Sequence, residues 1–297
     1  MKILRFDDDR IGVLGVSGVV EISDLIPDRE ARGPQRAMEM LIVGFAHYRA
    51  QIEERMARMP ARALRDVSLL APLPRPGAVL AAFSNYLDRP GRTKSDVAID
   101  FFHKSSHLIG PGGAIELQDI PSVAEHQAEA ELAFVIGATC SKASADDWRR
   151  HVFGYVPFFD VSARGLTRRS LLIPKAQETF SVCGPWITTA DEIEDPHDLV
   201  IRSWINGALR QNYSTSLMAH KIPDQIAWLS RYVTLDPGDV VATGVCHEGL
   251  AAINPGDDLR IAIEGLGEAS FRIVGDSPPK SGGPQPGQGP GMKVSPV

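Results

Sequence analysis

Two glutamates stand two positions apart in Ala128-Glu129-Ala130-Glu131, immediately before the apolar run Leu132-Ala133-Phe134-Val135-Ile136. A β-strand turns successive side chains to opposite faces, so Glu129 and Glu131 project to the same side, about 7 Å apart. Carboxylates this close repel, and one is driven toward its protonated form unless a cation lies between them. Oxygen ligands with a few remaining waters suit Mg²⁺, Mn²⁺ or Ca²⁺ rather than zinc. An edge strand carrying solvated glutamates is the competing reading of this short pattern.

A second segment supplies a third carboxylate. Asp160 follows the apolar run Tyr155-Val156-Pro157-Phe158-Phe159, a poor setting for an unpaired charge, and Arg164 lies four residues on. A shared metal and an anionic substrate would satisfy both groups; a simple Asp–Arg ion pair in a turn is the alternative. His247, followed by Glu248, is a candidate general base, or else a loop histidine at the surface or at a dimer contact.

These residues need elements to position them. Short strands are expected at Lys2–Phe6, Ile11–Val16 and Val19–Ile22, followed by one helix from about Pro34 to Met59 with apolar residues at helical spacing. This reads as a small N-terminal α+β domain over residues 1–73, with Leu73-Pro74-Arg75-Pro76-Gly77 as linker. From 78 to 275 the pattern is mainly strands, including Ala78–Phe83, Leu132–Ile136, Trp186–Thr188, Val200–Ile205, Val240–Thr243 and Leu259–Ile263. Helices are expected from Ser144, which can cap one, and over Ile222–Tyr232. The stretch 276–297 is rich in Pro and Gly and too poor in apolar residues to fold alone, so disorder is expected.

Composition narrows the class. A net charge of −6 argues against a nucleic-acid surface, which normally shows a basic excess. Cys140, Cys183 and Cys246 show no CxxC spacing, which fits reduced thiols in a cytoplasmic protein. The opening MKILRFDDDR lacks the apolar core of a signal peptide, and no apolar run reaches the ~18 residues of a membrane span.

Taken in order, the motifs resemble those of the fumarylacetoacetate hydrolase family. They comprise Asn85-Tyr86, Phe102-His103-Lys104, Gly110-Pro111-Gly112, Glu129-Ala130-Glu131-Leu132, Gly154-Tyr155, Asp160-Val161-Ser162-Ala163-Arg164 and Lys175. Gly184-Pro185-Trp186, Asn206-Gly207 with Gln211, Pro237-Gly238-Asp239-Val240 and Thr243-Gly244 complete the series. The resemblance implies an α+β, mainly β fold, a mixed β-sandwich roll over residues 78–275, and a homodimer. It also implies that Glu129, Glu131 and Asp160 bind Mg²⁺ (or Mn²⁺, with Ca²⁺ an alternative). Lys175 and Arg164 would bind or polarise a small 2-oxo or diketo acid, Thr243 would help hold its carboxylate, and Tyr86 would line a lid or merely pack beneath it.

One departure bears on the reaction. Hydrolytic members of the family continue Asn-Tyr into Asp and then His, whereas this chain reads Asn85-Tyr86-Leu87-Asp88-Arg89-Pro90. An arginine cannot accept a proton near neutrality, so Arg89 is expected to grip a substrate carboxylate or carbonyl instead. The resemblance therefore implies a metal-dependent hydrolase that cleaves a C–C bond of an acylpyruvate-type acid, with the metal stabilising the enolate that forms. A lyase, decarboxylase, tautomerase or bond-forming enzyme on an oxaloacetate-like acid uses the same enolate without activated water. A non-catalytic binding homologue is the third reading.

Overall fold

The computed structural model describes residues 1–166 and 170–276; residues 277–297 of the Pro- and Gly-rich tail expected to be disordered lie outside them. Two long antiparallel strands, Glu125–Ile136 and Val152–Arg164, form its centre. Both are longer than the apolar run of the sequence alone indicates, because their polar ends are also enclosed.

Alternation along these strands divides the interior. Ala130, Leu132, Phe134, Phe159 and Val161 face a cluster shared with a second sheet, and Phe159 meets Phe271 of that sheet edge-on with ring centres 6.0 Å apart. Ala133, Val135, Val156 and Phe158 face the other way, into a cluster with Ile3, Val13, Met38, Leu41 and Ile52. Glu129, Glu131 and Asp160 share the parity of this second face and lie beyond the end of its apolar filling.

The large sheet has 13 strands among the described residues, with Val240–Ala242 beside Glu125–Ile136 and Val79–Ala82 parallel to it. The second sheet has five, built from Ala208–Ser214, Val200–Ile205, Asp258–Ile263, Gly267–Gly275 and Ala114–Leu117. The fold is α+β and mainly β. At the N-terminus, Lys2–Phe6 joins the large sheet by pairing with Ile187–Thr189, Lys2 opposite Thr188.

Most expected elements form within a residue or two of their bounds, and Ile222–Tyr232 is helical as expected. The single helix expected from Pro34 to Met59 is instead two, Pro34–Val43 and Phe45–Arg58. Gly44 interrupts them. Glycine is a weak helix former, and a Cβ there would lie 2.6 Å from the Tyr48 ring, so the break is built around the missing side chain. The helix expected from Ser144 is a 3₁₀ turn over Ala145–His151, with Ser144 Oγ accepting from Asp146 N at 3.3 Å. Cys140, Cys183 and Cys246 are free and buried. No helix among the described residues is long and apolar enough to cross a membrane.

Candidate active site and metal centre

Strand register brings the carboxylates together. Asp160 pairs directly opposite Glu129, and Glu131 lies two residues along on the same face. One oxygen from each of Glu129, Glu131 and Asp160 lies within 4.8 Å of the others, and all three side chains are buried. Solvated edge glutamates are thereby excluded.

Three cations surround the group. Lys175, at the end of the short helix Leu172–Lys175, places Nζ 2.6 Å from both Glu129 Oε2 and Asp160 Oδ2. Lys104 Nζ approaches Asp160 Oδ1 at 2.6 Å and donates to the carbonyls of Val161, at 3.0 Å, and Lys175. Arg164 Nη2 donates to Glu129 Oε1, and its Nε to Gln127 Oε1 at 2.9 Å. The simple Asp160–Arg164 pair therefore does not form; the guanidinium bonds Glu129 across the strand pair.

The charges are distributed unevenly. Burial works against ionised Glu129, but Arg164 and Lys175 outweigh it and hold that carboxyl well below its ordinary range. Burial likewise opposes a charged Lys175, and Asp160 and Glu129 more than compensate, raising its pKa. Among the described residues, Glu131 receives only the Gly244 N–H, at 2.8 Å, and no ion pair reaches it. Burial, then Asp160 and Glu129, push its carboxyl well above the usual range. A hard divalent cation would remove that conflict, and an all-carboxylate donor set suits one. The residues fit the metal.

Lys104 is expected to be the structural anchor of this cluster. Its side chain is fully buried, so Lys104→Met strands one side of Asp160 without its cation. Breaking a buried pair in this way costs about 3–5 kcal/mol. The urea midpoint of the variant reads that loss directly.

Over the cluster opens a cleft of about 100 Å³, with Glu129, Glu131, Arg164, Lys175 and His247 on its polar side. Phe83, Phe102, Leu171 and Val245 form much of the apolar side. His247 enters from the loop after Thr243-Gly244 and bonds Asp88, Nδ1 to Oδ2, at 2.6 Å. Its partner is thus Asp88 from the Asn85-Tyr86 segment, and not the adjacent Glu248.

Three expected site residues lie elsewhere. Arg89 is exposed and does not line the cleft, because the turn beyond Asp88 carries its side chain outward while Asp88 points in. Tyr86 is fully buried against Tyr213, edge-on with centres 5.2 Å apart, and is a packing residue in this arrangement. Thr243 is also buried, and its hydroxyl donates to Leu132 O at 2.9 Å, tying its loop to the glutamate strand. Arg89→Ala is accordingly expected to leave kcat/KM within about threefold, as for surface changes generally. Steady-state kinetics check it.

Sequence reading missed Asp88 and Lys104 as site partners, although both lie in motifs it singled out. Their signal was present only as polarity beside aromatic residues.

Comparison with known proteins extends this picture. A family model described as fumarylacetoacetate (FAA) hydrolase C-terminal matches residues 78–274. A maleylpyruvate hydrolase of Aquipseudomonas alcaligenes is 31% identical over 291 residues, covering 92% of this chain and 99% of that one. A mitochondrial oxaloacetate tautomerase of Xenopus laevis is 36% identical over 222 residues, 70% of this chain and 69% of the relative. Among solved structures, maleylpyruvate hydrolase from Sphingobium sp. SYK-6, in complex with manganese(II) ion and pyruvate, superposes with a TM-score of 0.83. It is 36% identical and covers 93% of this chain and 99% of that one.

Proposed function

The chain belongs to the fumarylacetoacetate hydrolase family, and on that premise we propose that it is a divalent-metal-dependent hydrolase cleaving a C–C bond in an acylpyruvate-type acid. The observation that carries this reading is the conjunction of three buried carboxylates within 4.8 Å with a histidine–aspartate pair at the same cleft. Maleylpyruvate hydrolases that resemble the chain over nearly its whole length support the substrate class.

Glu129, Glu131 and Asp160 would hold the ion, Mn²⁺ or Mg²⁺, which supplies Lewis acidity toward the 2-oxo group of the substrate. Arg164 and Lys175 present positive charge to the substrate's carboxylate and keto oxygen. Lys175 stays protonated in this setting, so it can stabilise negative charge as the C–C bond breaks. His247 takes a proton from water that adds to the distal carbonyl. Scission then yields a carboxylic acid and the enolate of pyruvate, which is protonated at carbon.

Tautomerisation of oxaloacetate is the second reading, favoured by the oxaloacetate tautomerases among the relatives. It needs the same cations and a proton shuttle, but no water addition. Incubation with Mn²⁺ and separate acetylpyruvate, maleylpyruvate and oxaloacetate separates the two. Release of pyruvate from an acylpyruvate supports hydrolysis. Enol–keto interconversion of oxaloacetate, with both acylpyruvates left intact, overturns it in favour of the tautomerase.

A further inference from the structure

The Asp88–His247 contact joins segments 159 residues apart and is part of a longer chain of bonds. Asp88 Oδ2 accepts from the His247 ring at 2.6 Å and from the His247 backbone N–H at 3.3 Å. Its other oxygen, Oδ1, accepts from Arg92 Nη1 at 2.8 Å. Arg92 is fixed in turn by the Tyr86 carbonyl at 2.9 Å. The Asp88 side chain is only 3% exposed, whereas that of His247 is 41% exposed and reaches the cleft.

The two segments are also fastened behind this contact. Asn85 Nδ2 donates to Thr243 O at 2.9 Å, and Gln211 Nε2 donates to Cys246 O at 2.9 Å. Gly244 N holds Glu131 Oε2 at 2.8 Å. The loop that carries His247 is therefore tied on one side to a carboxylate of the metal cluster and on the other to Asp88.

An ionised carboxylate has acceptors only, so the proton in the Asp88–His247 bond belongs to Nδ1. A neutral imidazole with its proton on Nδ1 has its lone pair on Nε2. We propose that Asp88 and Arg92 are positioning residues that hold His247 as the Nδ1–H tautomer, with a basic Nε2 directed into the cleft. The structure thus builds a base–acid pair whose histidine comes from the loop after Thr243-Gly244 and whose carboxylate comes from the Asn85-Tyr86 segment. Asp88 itself is suited to the task. Burial alone would raise its pKa, but His247 and Arg92 outweigh that and keep it ionised.

This inference rests on His247 acting as the base, and it can fail separately from that reading. Long-range ¹H–¹⁵N NMR on the wild-type protein at about pH 8, above the ordinary histidine range, reads the tautomer without substrate. The expected result for His247 is a protonated Nδ1 and an unprotonated Nε2. A proton on Nε2 in the wild type overturns the proposal outright, whatever the enzyme turns over.

Asp88→Asn is the second arm. It is expected to remove the tautomer preference and lower kcat by roughly 10³-fold with little change in KM, while Mn²⁺ affinity stays at the wild-type value. Asp88→Glu should recover part of both the tautomer preference and kcat; a purely structural role predicts neither. An Asp88→Asn protein with unchanged tautomer and unchanged kcat contradicts the proposal.

Discussion

Glu131→Ala loses divalent-metal binding and turnover together. Of the three carboxylates, Glu131 alone has no cation paired with it among the described residues, and its charge is opposed by burial and by Asp160 and Glu129. Its negative charge is therefore the part of the cluster that a bound ion, and not the protein, has to balance. Removing it leaves two carboxylates already engaged by Lys175, Arg164 and Lys104. Loss of an outer-shell partner of a metal ligand already weakens binding by about 10–100-fold, so loss of a ligand itself is expected to exceed about 100-fold. Isothermal titration with Mn²⁺ measures it. Glu131→Gln, which still offers an oxygen to Gly244 N–H, guards against the trivial explanation that the loop has collapsed. Full turnover by either variant in the presence of chelator would refute the metal mechanism.

His247→Asn has the second large effect, and a different signature. The asparagine amide can still donate to Asp88, so the loop stays fastened, but no basic nitrogen faces the cleft. General-base removal typically costs about 10²–10⁴-fold in kcat. Metal affinity should be unchanged, because none of the groups touching Glu129, Glu131 or Asp160 has been altered. Acylpyruvate cleavage that persists within about threefold would mean that the base lies elsewhere.

The carboxylate cluster was legible in the sequence because its geometry is local. Period-two alternation places Glu129 and Glu131 on one face regardless of what the rest of the chain does. Asp160 required the strand register as well, and its position beside an aromatic run flagged it as a charge in need of partners. Lys175 and Arg164 followed from their place in the motif series.

The loop-borne groups were not legible in the same way. Whether Asp88 or Arg89 points inward depends on the dihedrals of one turn. Whether His247 meets Asp88 or Glu248 depends on a contact spanning 159 residues. Arginine at position 89 stands where the family pattern has a histidine, whereas His247 lies in a loop with no period to betray its direction. Thr243 is expected at the substrate, and Tyr86 either at the lid or packed beneath it; each is fully enclosed. A single motif position cannot distinguish a residue that lines a cleft from one that supports its wall. The division of one expected helix at Gly44 has a similar origin, since apolar spacing carries across a break that only backbone propensity and the Tyr48 ring enforce.

Anomalous diffraction from crystals grown with Mn²⁺ addresses the cation site itself. One manganese peak is expected within about 2.3 Å of a carboxylate oxygen from each of Glu129, Glu131 and Asp160. Strong manganese density elsewhere on the molecule, with these carboxylates bonded only to Lys175, Lys104 and Arg164, would contradict it.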